Sequence, residues 1–156
     1  MKKKILYCVL MLILLIFLVN QFICSFIFID GESMSPNLNN GETKLLFKNN
    51  IGNIKRFDIV VFKSNSSSDL IVKRIIGLPG DYISYRNNQL FVNNNRVEET
   101  FLSNLSDMNP DYLTQDFSTN KINLNHYFVL GDNRQISDDS RVFGEIDQAD
   151  IIGTVK

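Results

Sequence analysis

Hydrophobic positions follow two regimes along this chain. From Ile5 to Ile29 they are nearly unbroken, interrupted by Asn20, Gln21 and Ser25. A helix of that length, at ~1.5 Å per residue, exceeds the roughly 30 Å hydrocarbon core of a bilayer, so the pattern predicts a membrane-spanning helix. Past Pro36 the apolar positions fall into short runs rich in Ile, Val, Phe and Tyr, broken by Asn and Gly, which predicts a mostly β domain. The expected strands are Glu42–Phe47, Asp58–Lys63, Leu70–Gly77, Tyr82–Tyr85, Gln89–Val92, His126–Leu130 and Ile151–Val155. Asn87-Asn88 and Asn93-Asn94-Asn95 read as hairpin turns, because Asn tolerates positive φ. Ser64–Asp69 reads as a polar loop, and Thr100–Lys121, without a clear period, as an insertion or mobile segment.

Charge adds an orientation. Lys2, Lys3 and Lys4 precede the apolar segment, which places the N-terminus in the cytoplasm and the rest of the chain outside. The expected organisation is a basic tip and anchor over residues 1–29 and an extracytoplasmic β domain over 30–156, a single-pass protein of the cell membrane in contact with lipid. A cleaved signal peptide would end in small residues, yet the first 29 residues contain no alanine. A lipid-attachment site fails similarly, since Cys24 follows Phe22-Ile23.

Composition narrows the chemistry. The 156 residues carry a formal net charge of -1, with no basic stripe for nucleic acid. Cys8 and Cys24 both lie in the apolar segment, so there is no disulfide framework, and with the single His126 they form no metal cluster. No cofactor is expected.

Three stretches could carry chemistry. In Asp30-Gly31-Glu32-Ser33-Met34-Ser35-Pro36-Asn37-Leu38, a serine two residues after glycine suits a tight bend with its hydroxyl exposed and backbone N–H groups facing an incoming carbonyl. A plain linker would use the same residue types. In Leu70–Ile76, Lys73 and Arg74 interrupt an apolar run; on a strand Lys73 shares a face with Ile71 and Ile75, Arg74 with Val72 and Ile76. A buried lysine has a lowered pKa and can accept a proton, whereas on an edge strand both cations would snorkel to water. The third stretch, Gly131–Arg141, is dense in charge; Arg134 at a would-be ligand position and the missing Gly and Glu argue against a calcium loop. It reads either as a solvated turn or as a brace in which Asp139 and Arg141 pair and the Ser137 hydroxyl orients a lysine amine.

Taken in order, Gly31-x-Ser33-Met34-x-Pro36-x-Leu38, Lys73-Arg74-Ile75-Ile76-Gly77-Leu78-Pro79-Gly80-Asp81 and Gly131-Asp132-Asn133-Arg134-x-x-Ser137-x-Asp139-Ser140-Arg141 closely resemble the type I signal peptidases. The resemblance extends from the anchor to near the C-terminus. It implies a signal-peptidase-like domain of antiparallel sheets, with Ser33 as nucleophile and Lys73 as general base. It further implies an oxyanion hole from the Ser33 N–H and the Gly31 region, Ser137 orienting Lys73, and Asp139 with Arg141 holding the loop. Ile29, Met34, Leu38, Ile71 and Val72 match positions that line shallow apolar pockets. The implied substrates are exported preproteins with small residues at positions -1 and -3 of the cleavage site, met near the protein translocation channel. Geometry agrees: Ser33, four residues past Ile29, stays within roughly 15 Å of the end of the apolar segment.

The chain departs from the pattern at Phe57, where the family usually has Gly, and at Gln135-Ile136, where it usually has Asp-Asn. It shows no second membrane segment and no large inserted domain, which fits a minimal Gram-positive-type form. The self-cleaving SOS repressors share the Ser–Lys fold but carry a DNA-binding domain. The alternative reading is a catalytically inactive, membrane-anchored homologue that acts as a binding or scaffold protein.

Overall fold

The computed structural model describes residues 2–64, 69–102 and 113–156, with side chains outside the description at 19–22 and 49–51. The polar loop expected at Ser64–Asp69 and the centre of Thr100–Lys121 therefore lie largely outside the described residues.

Helix α1 spans Lys2–Phe22, and strand β1 follows at once over Cys24–Phe28. The expected helix to Ile29 thus stops one strand early. Apolar character alone cannot separate helix from strand; a partner decides. β1 pairs antiparallel with β2 (Thr43–Phe47), from Cys24 opposite Phe47 to Phe28 opposite Thr43. Its alternation is that of a half-buried strand: Ile27 is 8% exposed, Phe26 79% and Phe28 63%. Ser33 is accordingly separated from the helix end by the whole of β1, and the reach argument from Ile29 does not measure its distance from α1. Among the described residues, no helix is long and apolar enough to cross a membrane: α1 opens on three lysines, and its described apolar side chains, Ile5–Leu18, cover roughly 21 Å at ~1.5 Å per residue. Those side chains are exposed throughout.

The remaining strands are β3 (Ile59–Lys63), β4 (Leu70–Gly77), β5 (Ile83–Arg86), β6 (Gln89–Val92), β7 (Asn95–Val97), β8 (Phe117–Ser118), β9 (His126–Leu130), β10 (Ile146–Asp147) and β11 (Ile151–Val155). They form a seven-stranded sheet in the order β1-β2-β11-β3-β4-β9-β10 and a four-stranded sheet in the order β7-β6-β5-β8, with every pairing antiparallel. β4, β6, β9 and β11 have the bounds that their hydrophobic runs predict. β7, β8 and β10, two or three residues each, are too short to show alternation. Asn87, Asn88, Asn93 and Asn94 take φ of 51°, 60°, 52° and 66°, the left-handed region that these hairpin turns require.

β4 lies inside the large sheet, between β3 and β9, with Val60 opposite Lys73 and Leu130 opposite Arg74. The edge-strand alternative for its cations is therefore excluded. Successive residues feed different cores. Ile75 packs with Val60, Phe62, Val129 and Ile151 on one face. Ile76 packs with Phe128 and Leu130 against Ile83, Tyr85 and Leu90 of the small sheet. A third core joins Ile27, Leu46, Val61 and Val155 to Ile29, Met34 and Leu38 of the serine-bearing turn, and so fastens that turn to the large sheet.

Candidate active site

The turn after β1 is fixed from both sides. Gly31 adopts φ +95°, a conformation side chains disfavour, and its N–H donates to Asn40 Oδ1 at 3.1 Å. Downstream, Ser35 N–H donates to Glu32 O at 3.1 Å and Leu38 N–H to Met34 O at 2.9 Å. Met34, 1% exposed, and Leu38, 5%, are the buried pins of this turn. Ser33, just before Met34, stays half-exposed, and its own N–H donates to no acceptor among the described residues. The Ser33 N–H expected to face an oxyanion is thus open; in the Gly31 region, the N–H of Gly31 itself is taken by Asn40.

Lys73 reaches this turn from the middle of β4. Its Nζ lies 2.7 Å from Ser33 Oγ. The side chain is buried, and burial lowers the amine's pKa below the ordinary lysine value; Asp139, Asp138 and Asp132 oppose that shift through space. None of the ion pairs formed among the described residues includes Lys73. A neutral amine so placed is within hydrogen-bond reach of the serine proton.

The third stretch closes the site from below. Gly131 follows β9, and a Cβ there would lie 2.2 Å from Ser137 Oγ and 2.5 Å from the Ser33 carbonyl oxygen, so only glycine lets this segment approach. Asn133 N–H donates to that same carbonyl at 3.1 Å. Asp139, fully buried, accepts from Gly131 N–H at 3.0 Å and from Arg141 Nε and Nη2, both at 2.8 Å, while also capping the short helix α2 (Ser140–Phe143). Arg141 Nη2 then donates to Arg134 O at 2.6 Å. The Asp139–Arg141 brace is formed. Ser137 Oγ is buried beside Gly131 but has no hydrogen-bond partner among the described residues, Lys73 included.

Several members escaped sequence reasoning. Arg74 Nε and Nη2 hold Asp132 at 2.7 and 2.5 Å, a buried bidentate pair, and Nη1 donates to Phe57 O at 2.9 Å. The Phe101 ring covers the guanidinium at 4.0 Å. Phe57 itself sits at φ 74°, which explains why glycine suits that position, and its ring meets Phe101 edge-on at 5.2 Å. Arg134, 1% exposed, donates to Gly131 O, Tyr85 Oη, Thr114 Oγ1 and Glu99, tying the loop to the small sheet. Arg74 and Asp132 are 58 residues apart, so no local spacing could have signalled them. Gln135 and Ile136, the other departure, are exposed, and Gln135 Nε2 donates to Leu113 O at 2.7 Å.

Of the apolar residues expected to contact substrate, Ile29, Met34, Leu38 and Val72 share one core next to Ser33. Ile71 is not among them; it packs beside the Phe62–Ile75 core and lines a cleft of about 580 Å³ with Asp138 and Val142. His126 contacts Leu124 O at 3.0 Å and has no place in the site. Among the described residues there is no cluster of metal-ligating side chains.

A model of the family described as "Signal peptidase, peptidase S26" matches residues 2–156. The chain is 38% identical to signal peptidase IB of Staphylococcus aureus (strain COL), over 99% of this chain and 89% of that one. It is 40% identical to signal peptidase I V of Bacillus subtilis (strain 168), over 81% and 80%. A crystal structure of a signal peptidase I from Enterococcus faecalis V583 superposes with a TM-score of 0.61 at 38% identity, covering 66% of this chain and 97% of that one.

Proposed function

The chain belongs to the signal peptidase family, peptidase S26, and is a serine endopeptidase of that family; from that premise we propose that it removes signal peptides from exported preproteins by a Ser33–Lys73 mechanism. The observation that carries this reading is the 2.7 Å approach of a buried amine, outside every ion pair among the described residues, to the Ser33 hydroxyl. Ser33 Oγ attacks the scissile carbonyl carbon as its proton passes to Lys73 Nζ. The negative charge that develops on the carbonyl oxygen is met by the free N–H of Ser33. As the intermediate collapses, the Lys73 ammonium returns the proton to the leaving amine, the C–N bond breaks, and an ester to Ser33 remains. Lys73 next takes a proton from water, whose oxygen attacks the ester; the signal peptide leaves as a carboxylic acid and Ser33 regains its proton. The Ser137 hydroxyl, buried without a hydrogen-bond partner among the described residues, is assigned to the Lys73 amine during these transfers.

The substrate residues at -1 and -3 are small in this reading, as the likeness to the signal peptidases implies; the apolar side chains that would line their pockets, Ile29, Met34, Leu38 and Val72, pack together beside Ser33. Membrane attachment through α1, with Lys2–Lys4 in the cytoplasm and the β domain outside near the translocation channel, completes the proposal; the continuous exposure of Ile5–Leu18 supports it. The test is cleavage of a preprotein by the detergent-solubilised protein beside a Ser33→Ala control. Cleavage at the predicted site by the parent alone supports the reading, and equal cleavage by both would remove Ser33 as nucleophile.

A further inference from the structure

Ser33 and Lys73 come from segments 40 residues apart, so something must hold their 2.7 Å separation against the motion of an exposed turn. One arm of that support is Arg74, next to Lys73, which grips Asp132. The other arm comes from the serine turn. Asn37 Nδ2 donates to Asp132 Oδ2 at 2.9 Å and approaches Phe101 O at 3.4 Å. Asp132 is fully buried, while Asn37 is exposed at its outer side. A single carboxylate therefore receives the nucleophile's segment through Asn37 and the base's strand through Arg74. The span from Ser33 to Asn37 is stiffened by the Leu38-to-Met34 hydrogen bond and by the burial of Met34 and Leu38, so a displacement at Asn37 is passed to Ser33.

We propose that Asn37 is a positioning residue of the reaction, which sets the Ser33 Oγ to Lys73 Nζ distance by tying the serine turn to the buried Asp132 carboxylate. The inference rests on the Ser33–Lys73 reading. Asn37 does not touch the reacting atoms; it acts through Asp132. A hydrogen bond to a carboxylate is at the strong end for neutral donors, and misplacement of a reacting group by a fraction of an ångström weakens the chemical step more than substrate binding.

The test measures kcat and KM separately on a peptide with Ala at -1 and -3, for the full chain in detergent. Asn37→Ala should lower kcat by about tenfold with KM within about twofold. Asn37→Gln, which keeps the amide donor and has solvent to accommodate one more methylene, should recover most of that loss. Asn37→Asp, which sets a second carboxylate against Asp132, should lose more than Asn37→Ala. Because Asn37 is exposed, melting temperatures of the Ala and Gln variants should stay close to the parent's. A kcat for Asn37→Ala within twofold of the parent, a change confined to KM, or equal loss in the Ala and Gln variants would overturn the proposal. A parent enzyme that fails to cleave the peptide would instead overturn the Ser33–Lys73 reading.

Discussion

The two faces of β4 each bury a cation, and they surround it differently. On one face Arg74, 7% exposed, meets a fully buried carboxylate through two hydrogen bonds, donates a third to Phe57 O, and lies under the Phe101 ring. On the other face Lys73, 5% exposed, meets a hydroxyl and, among the described residues, no ion-pair partner, with three carboxylates acting on it from a distance. A guanidinium cannot be deprotonated in a protein, so its burial demands a counter-charge, and the pair serves as a fixed joint. An amine can shed its proton, and withholding a partner is what makes shedding it favourable. Adjacent residues on one strand thus divide the work in the proposed mechanism: one stays charged and holds, the other sheds its proton and reacts.

Making the two faces alike should have the largest effect. Lys73→Arg puts a permanent cation against Ser33 and should lower kcat/KM by roughly 10³-fold or more, while the variant still folds. Activity within tenfold of the parent in a peptide-cleavage assay would remove Lys73 as the base. Asp132→Ala attacks the other face. It strands the Arg74 guanidinium in the interior and should cost about 3–5 kcal/mol of stability, read from urea unfolding. A loss under 1 kcal/mol would mean that the Arg74 pair is not the joint described.

How much of this was legible beforehand depends on the range of the interaction. β4, β6, β9 and β11 announced themselves because alternation or an apolar run is a property of consecutive residues. The Ser33, Lys73 and Asp139–Arg141 positions were legible through resemblance, each lying in a compact motif. Cys24–Phe28 was misread as helix because an apolar run carries no information about the β2 partner that makes it a strand. The Asp132 joint was not anticipated for the same reason: its partners Asn37 and Arg74 lie 95 and 58 residues away. Phe57 stood out as a departure, but only its φ of 74° shows why glycine would be the simpler choice there.

Phe57 also supplies the smallest expected effect. Phe57→Gly gives up the edge-on contact with Phe101, about 0.5–1.5 kcal/mol, together with the ring's packing against the second core, and relieves the left-handed backbone, about 1–3 kcal/mol, so loss and gain partly offset each other. Phe57→Ala loses the ring and keeps the backbone cost, so it should be the less stable variant by thermal melting. If Ala is as stable as Gly, the backbone at Phe57 carries no strain.

The central claim is that Lys73 works as a neutral base, and the pH dependence of kcat/KM in the free enzyme reports it most directly. Burial lowers the amine's pKa, so the neutral, reactive fraction grows as pH rises through that lowered value. On a peptide with Ala at -1 and -3, kcat/KM should climb across the alkaline side of neutrality and level off below the free-lysine value of about 10.4. An ascending limb near pH ~4, with no further rise above neutrality, would make a carboxylate such as Asp139 the base and contradict the account.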